Sequence, residues 1–226
     1  MTERLLFTAD KYTWSGGFYQ LAIELGPRDD ARLDAAIHAL WDFPALAGCW
    51  NRRDVEPEPQ ERYCASLAAF EAERRLLGVL TLPEDNARVA CDCFIVREEQ
   101  SEIDWISLCI PMGGLSTVRE VGAFPFGGVG VSSRSWHEPL DQLLVQIGEW
   151  IFERAPFRLA LTGHEVGGDC YAEQVAARGL PRDRWIGYLY PGALPAIGMS
   201  RQLLEGFLEW FPPTIYDPPY DISHRR

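Results

Sequence analysis

Residues 139–190 read PLDQLLVQIGEWIFERAPFRLALTGHEVGGDCYAEQVAARGLPRDRWIGYLY, and this stretch decides the predicted fold. Leucine and isoleucine recur at helical spacing after Pro139, which predicts a helix that starts at this proline and stops before the next one. Residues 157–162 alternate between apolar and polar side chains, as a strand does. A glycine loop, a short helix that ends at Gly179 and an aromatic strand at 185–190 follow. A strand, a helix and a strand within about thirty residues predict a right-handed βαβ unit with two parallel strands.

The residues before this stretch predict a hairpin, a helix and a meander. A short strand at 5–8 and an alternating strand at 19–25 form the hairpin, and Asp29 or Asp30 caps the helix that follows. Three strand-like runs separated by short turns predict antiparallel pairing: 77–82, 88–96 and 105–110. Further elements are predicted at 46–50 (strand), 67–76 (helix) and 199–211 (helix).

These elements together predict an α+β fold. The sheet is expected to be mixed, with about six to eight strands, an antiparallel meander and at least one βαβ unit, and the helices pack on it. No linker-like boundary interrupts the sequence, so residues 1–226 are interpreted as one globular domain. A proline-rich, flexible tail is predicted over about residues 212–226.

The charge of the chain narrows the class of partner. The formal net charge is −12, from 21 basic and 33 acidic residues. Nucleic acid and an anionic membrane surface are disfavoured, because both are bound through clusters of lysine and arginine. A basic protein partner or a cationic ligand is attracted instead, although solubility alone also accounts for an acidic surface.

The sequence also indicates a compartment and the state of its cysteines. Met1–Arg4 precedes too short an apolar run for a signal peptide, and no apolar stretch has the length of a membrane span, so a cytoplasmic location is expected. The six cysteines are interpreted as reduced core residues. The motif Cys91-Asp92-Cys93 lacks the spacing of a zinc knuckle, and neither a metal nor a cofactor is predicted.

The glycine loop at 163–170 is the strongest candidate site. At the carboxyl end of a parallel strand, its N–H groups and the next helix would favour an anionic ligand. A nucleophile, a base and an orienting carboxylate are available for catalysis: Cys170, His164 and Glu165. Three further residues of the loop would bind the ligand: Gly167, Gly168 and Asp169.

A structural interpretation stands beside this one. His164 and Glu165 are neighbours that would point to opposite sides of an extended backbone, and Asp169 is explained as a helix cap. A second candidate pair, Arg134 and His137, follows a glycine-rich stretch and would bind ligand at its hinge. The structural alternative there is that Ser135 or Glu138 caps the long helix.

Two classes of function remain open from the sequence. One is a non-enzymatic, acidic protein-interaction domain of the inhibitor or immunity type, which masks a basic partner. Missing catalytic motifs, the net charge and the aromatic-rich loops favour it. The alternative is a small-molecule-binding protein or hydrolase-type enzyme that uses the Gly163–Cys170 loop.

Overall fold

The computed structural model describes residues 10–121, 133–192 and 208–215. Within them the strands are β1 (Phe18–Pro27), β2 (Leu46–Trp50), β3 (Arg75–Thr81), β4 (Arg88–Arg97), β5 (Ile103–Pro111), β6 (Leu159–His164), β7 (Gly187–Pro191) and β8 (Leu208–Phe211). The helices are α1 (Asp30–Trp41), α2 (Leu67–Glu73), α3 (Met112–Ser116), α4 (Ser133–Phe152) and α5 (Ala172–Arg178). The strands form one sheet in the order β2-β3-β4-β5-β1-β6-β7-β8. The α+β fold and the antiparallel meander, which is β3 to β5, are thereby confirmed.

The predicted βαβ unit is wrong, and with it the mixed sheet. Leu161 pairs with Tyr188 and Thr162 with Gly187 in antiparallel register, as do all neighbouring strands in the described part of the sheet. The connection between His164 and Gly187 is long enough for either direction and contains one short helix, α5. The direction of a strand is set by its pairing with distant segments, which a local strand–helix–strand pattern does not specify.

Two helix boundaries also differ from the prediction. Helix α4 starts at Ser133, so Pro139 lies inside it and neither Ser135 nor Glu138 is its cap. A proline inside a helix removes one backbone hydrogen bond and crowds the carbonyl one turn earlier, and the apolar contacts of this long helix offset that cost. Helix α2 ends at Glu73 because Arg74 adopts a left-handed conformation, with φ of 65°, and the chain then enters β3.

The carboxyl-terminal prediction is corrected in part. Residues 208–211 form strand β8, not the end of a helix, and Trp210 lies opposite Leu189 of β7. Pairing with a sheet edge here outweighs helical spacing. Residues 212–215 are held by backbone hydrogen bonds from Thr214 and Ile215 to the Arg184 carbonyl. Strand β1 pairs with β5 on one side and with β6 on the other, so its pairing in the predicted hairpin is wrong. The predicted strand at 5–8, the rest of the 199–211 helix and the rest of the tail lie outside the described residues.

One face of the sheet, named here the helix-covered face, carries the main core. It presents alternate residues of β1, namely Tyr19, Leu21, Ile23 and Leu25, to helices α1 and α4. The N-cap Asp29 accepts hydrogen bonds from the first N–H groups of α1, as predicted. Cys91 and Cys93 are buried in this same core, which confirms their structural interpretation, whereas Cys64 is exposed and is not a core residue.

Among the described residues, the opposite face, named here the open face, is covered only at its ends. It carries the intervening β1 residues Gln20, Ala22 and Glu24. Helix α5 packs over one end, against Leu159 and Leu161 of β6. A small cluster around Trp50 and Trp14 covers the other end. Between the two ends, Phe94 and Val96 of β4 remain accessible to solvent, and Val96 is 42% exposed. No helix in the described part of the chain has both the length and the apolar character that a bilayer crossing requires.

Candidate functional site

The loop that follows β6 is held against β1. The Glu165 N–H donates to the Phe18 carbonyl at 3.0 Å, and the Gly167 N–H donates to the Gln20 side-chain oxygen at 3.1 Å. Glu165 has φ of 51°, a conformation that is uncommon for a residue with a side chain. Gly168, at φ of 82°, completes the turn. These contacts fix the loop at the border of the open face.

The loop forms one wall of a cleft of about 360 Å³ on the open face. The lining residues come from β1, β4, β5, the loop after β6 and the turn after β4: Gln20, Phe94, Val96, Glu98, Trp105, Ser107, Glu165, Gly167 and Gly168. Three of the predicted loop residues therefore line a cavity, namely Glu165, Gly167 and Gly168. The cleft is reached through the face of the sheet and not through the end of a parallel strand.

The lining combines apolar surface with hydrogen-bond acceptors. Phe94, Val96 and Trp105 supply the apolar part, and Glu98 and Glu165 supply two carboxylates. Ser107 is only 3% exposed, and the indole Nε1 of Trp105, a donor, is buried without a hydrogen-bond partner among the described residues. No lysine, arginine or histidine is among the lining residues, so the cleft favours a donor or a cation over an anion.

Neighbouring side chains fix the position of Glu98. Its carboxylate accepts a hydrogen bond from the Tyr171 hydroxyl at 2.9 Å and another from the Ser101 hydroxyl. The bond to Glu98 raises the pKa of Tyr171, so the phenol stays protonated and donates. The Tyr171 ring packs edge-on against Trp105, with ring centroids 5.6 Å apart. Glu98 is therefore oriented before any ligand arrives.

Arginines beside the cleft are already paired. Arg53 lies over the Trp14 ring and contacts the buried Asp92 carboxylate at 2.5 Å, and Arg75 contacts the same carboxylate at 2.8 Å. Burial raises the pKa of Asp92, and the two arginines offset part of that rise. Asp92 thus engages both of these positive charges.

The start of helix α5 is not the anion site that the sequence predicts. The N-cap is Tyr171, and Asp169 lies outside the helix with its N–H donated to the Val166 carbonyl. The buried Glu24 accepts a hydrogen bond from the Ala172 N–H at 2.6 Å. Burial raises the pKa of Glu24, and the Ala172 N–H and Arg158 oppose this effect. The protein's own carboxylate therefore takes the place where an anionic ligand was expected.

Of the predicted catalytic residues His164, Glu165 and Cys170, the structure brings the first two together and leaves Cys170 apart. A Cβ atom on Gly17 would meet both His164 Nε2, at 2.7 Å, and Glu165 Oε1, at 2.9 Å. His164 pairs with Tyr19 in register, on the helix-covered side, and its Nε2 lies 3.3 Å from the Gly16 carbonyl. Cys170 packs with the cluster under α5 on the open side, and burial raises the pKa of its thiol. Burial also lowers the pKa of His164. The nucleophile–base–carboxylate set is not assembled in this geometry, and these three roles stay predictions.

Arg134 and His137 lie on α4, away from the cleft. Arg134 forms an exposed ion pair with Glu138 at 3.2 Å. The His137 ring packs beside Tyr19, with centroids 5.3 Å apart, so His137 and His164 both approach Tyr19 on the helix-covered side. Their ligand-binding role also stays a prediction.

A buried carboxyl that sequence reasoning missed lies at this contact between α4 and the sheet. Asp141 is 1% exposed and accepts a hydrogen bond from the Tyr19 hydroxyl at 2.6 Å. Burial raises its pKa to about 7, although the Tyr19 and Thr162 hydroxyls lower it. Its Oδ2 has no hydrogen-bond partner among the described residues. The available signal was an acidic residue directly beside Leu140 in the apolar stripe of a predicted helix.

The cleft residues outside the loop were also missed: Gln20, Phe94, Val96, Glu98, Trp105 and Ser107. They belong to separate strands and turns, and no sequence motif links them. Over the described ranges, no group of three histidine, cysteine or acidic side chains is arranged to hold a metal ion. Comparison of the chain with protein-family models, curated proteins and solved structures finds no match.

Proposed function

We propose that this protein is a non-enzymatic binding domain whose cleft on the open face receives a basic segment of a protein partner. The observation that carries the proposal is the chemistry of the cleft lining. Two carboxylates, Glu98 and Glu165, stand beside exposed apolar surface without a basic residue among the lining residues. A chain segment that carries positive charge and an aliphatic stem satisfies both parts of this lining.

The charge of the whole chain supports the same class of partner. A net charge of −12 draws a basic protein towards the domain before contact. Attraction of this kind raises the association rate and weakens with salt. An acidic domain that masks a basic partner would act as an inhibitor of the immunity type.

The enzyme alternative has less support. A hydrolytic mechanism needs a nucleophile within hydrogen-bond reach of a base. Cys170 and His164 lie on different sides of the sheet, and no histidine or lysine lines the cleft beside the Ser107 hydroxyl. We therefore place binding, and not catalysis, in the cleft.

Selection from a random peptide library on the immobilised protein at low salt tests this function. We expect the selected peptides to be enriched in lysine and arginine. Their affinity should fall by an order of magnitude or more between about 0.05 and 0.5 M NaCl. The E98Q/E165Q double variant should lose most of the binding.

The matched control is E71Q, which removes a charge from α2. Phe70 of the same helix packs into the core on the helix-covered side, so Glu71 is remote from the cleft. E71Q should bind the selected peptides as the wild type does. Selection of neutral or acidic peptides, or affinities that do not change with salt, would contradict the proposed function.

A further inference from the structure

We infer that the protein has a second binding site, an anion pocket at the β2 end of the open face, which binds a carboxylate or phosphate group. This site shares no lining residue with the cleft and goes beyond the proposed function. Three observations carry it: a cavity with two arginines in its lining, a buried indole N–H without an acceptor, and an arginine that no carboxylate of the described residues engages.

The anion pocket is a cavity of about 130 Å³ between the sheet and the loop that follows β2. Trp50 of β2 and Arg88 of β4 line it on the sheet side, and Glu58, Gln60 and Arg62 line it on the loop side. Two arginines and one glutamate give the lining a net positive charge, although the formal net charge of the whole chain is −12. The pocket is therefore a local exception to the acidic character of the protein.

Hydrogen bonds hold the loop wall of the pocket in place. The Gln60 side-chain amide donates to the Arg52 carbonyl at 2.9 Å, and its oxygen accepts from the Arg52 N–H at 3.2 Å. Directly after Arg62, the Tyr63 N–H donates to the Cys49 carbonyl of β2 at 2.9 Å. The backbone on both sides of Arg62 is thus fixed against the sheet before a ligand arrives.

The Trp50 indole supplies a donor that points to an acceptor ligand. Trp50 is 3% exposed, and it packs with Leu77, Val79 and Ala90 in the cluster at this end of the open face. Its Nε1 is buried and has no hydrogen-bond partner among the described residues. An indole N–H can only donate, and a buried donor normally has an acceptor because an unsatisfied one costs stability. An oxygen atom of a ligand in the pocket would supply that acceptor.

Arg62 supplies a positive charge next to this donor. Its guanidinium carbon lies 5.5 Å from the centroid of the Trp50 ring. Within the described ranges Arg62 forms neither an ion pair nor a hydrogen bond, whereas Arg53 and Arg75 are both engaged by Asp92. A guanidinium group presents a planar fork of N–H donors that matches the oxygens of a carboxylate or phosphate. The ligand class that satisfies both Arg62 and the Trp50 N–H is therefore an oxyanion.

The charge of the whole protein makes this inference specific. A chain with a net charge of −12 repels anions from most of its surface. General electrostatic attraction thus cannot produce saturable binding of a small anion. Such binding has to come from donors that converge on one place, and the pocket provides them.

The test is an NMR titration of the ¹⁵N-labelled full chain with sodium phosphate and, separately, sodium acetate. Sodium chloride keeps the ionic strength constant and serves as the control anion. We expect phosphate to shift the Trp50 indole N–H signal and the Arg62 amide signal to saturation, and chloride alone to leave both unchanged. Acetate should shift the same signals. Tighter binding of phosphate would identify a phosphorylated ligand, and tighter binding of acetate would identify a carboxylate ligand.

Three variants locate the contact. R62Q removes the charged fork and should weaken phosphate binding about tenfold or more. W50F keeps an aromatic ring but removes the N–H, and should weaken it about fivefold, as measured from the Arg62 amide signal. E58Q removes the opposing carboxylate from the lining and should strengthen binding about twofold.

The matched control is R178Q, which removes an exposed arginine from α5 at the other end of the open face. This variant should bind phosphate as the wild type does, and so should E98Q/E165Q, whose substitutions lie in the cleft. Thermal unfolding shows which variants are folded. R62Q and E58Q alter exposed side chains and decide the question even if W50F is destabilised.

Three results would overturn the anion pocket. They are the absence of a saturable shift at the Trp50 indole, an R62Q affinity equal to that of the wild type, and a chloride effect as large as that of phosphate. The proposed function is tested by cationic peptides and the E98Q/E165Q variant, so it would stand or fall separately.

Discussion

The carboxylates on the two faces of the sheet differ in how far they are buried. On the helix-covered face, Asp141 lies between α4 and the sheet with one hydrogen bond, from the Tyr19 hydroxyl, and its pKa rises to about 7. On the open face, Glu98 is held by two hydroxyl groups and Glu165 stands at the rim of the cleft. Because Asp141 is buried, ionisation of its carboxyl at neutral pH destabilises the folded state. Access to solvent leaves the other two available to a ligand.

This difference predicts that apolar truncations act unequally on the two faces. Leu144 of α4 is fully buried in the main core, so L144A should lower the free energy of unfolding by about 3 kcal/mol. Val96 is 42% exposed, so V96A should cost less than about 1 kcal/mol. Chemical denaturation of both variants measures the contrast. Equal losses would mean that the open face is covered in solution.

The buried carboxyl predicts an unusual pH dependence. The pKa of Asp141 is about 7 in the folded protein. In the unfolded chain it is about 4, so the folded state keeps a proton between about pH 4 and pH 7 that the unfolded state has lost. The contribution of Asp141 to stability is therefore greatest below pH 4, decreases as the pH rises through this window, and changes no further above it.

D141N removes this penalty, because asparagine cannot ionise and its oxygen can still accept from Tyr19. At pH 8 the variant should be more stable than the wild type by about 1–4 kcal/mol, and at pH 4 the two should differ by less than about 1 kcal/mol. Denaturation across pH 4–8 measures both values, with E71Q as the control. A wild type that matches D141N at every pH would contradict the raised pKa of this buried carboxyl.

The carboxylates of the open face should show the smallest effect on stability. E98Q/E165Q should change the free energy of unfolding by less than about 0.5 kcal/mol for each substitution, because both side chains are accessible to solvent. The same variant should lose binding of cationic peptides, which D141N should retain. Thermal unfolding and peptide affinity measured on both variants separate folding from binding. A large loss of stability in E98Q/E165Q would assign these carboxylates to the fold.

The pattern of residues along the chain was sufficient to predict elements whose limits are set by their own residues. Alternation at residues 19–25 predicted β1, and Asp29 was a correct cap for α1. Gly179 ends α5, with φ of 73°. Pattern was insufficient for α2 and α4, whose boundaries depend on the left-handed Arg74 and on a proline tolerated inside a packed helix.

Only the part of the candidate site that is contiguous in sequence could be predicted. The glycine turn after β6 predicted a catalytic role for Glu165 and ligand binding by Gly167 and Gly168; all three line the cleft, and these roles stay predictions. Glu98 and Ser107 were missed because they join the site from the turn after β4 and from β5. Asp169 was assigned as a cap, but α5 starts at Ala172 and Glu24 from β1 binds its N–H group.

The sequence by itself determined the secondary-structure classes of most described elements, the acidic charge and the burial of Cys91 and Cys93. These properties follow from spacing and composition within a few residues. Tertiary structure alone decided the antiparallel direction of β7, the strand state of residues 208–211 and the separation of His164 from Cys170 by the sheet. Strand direction and the face that a side chain joins depend on pairing between distant segments, and local pattern contains no information about that pairing.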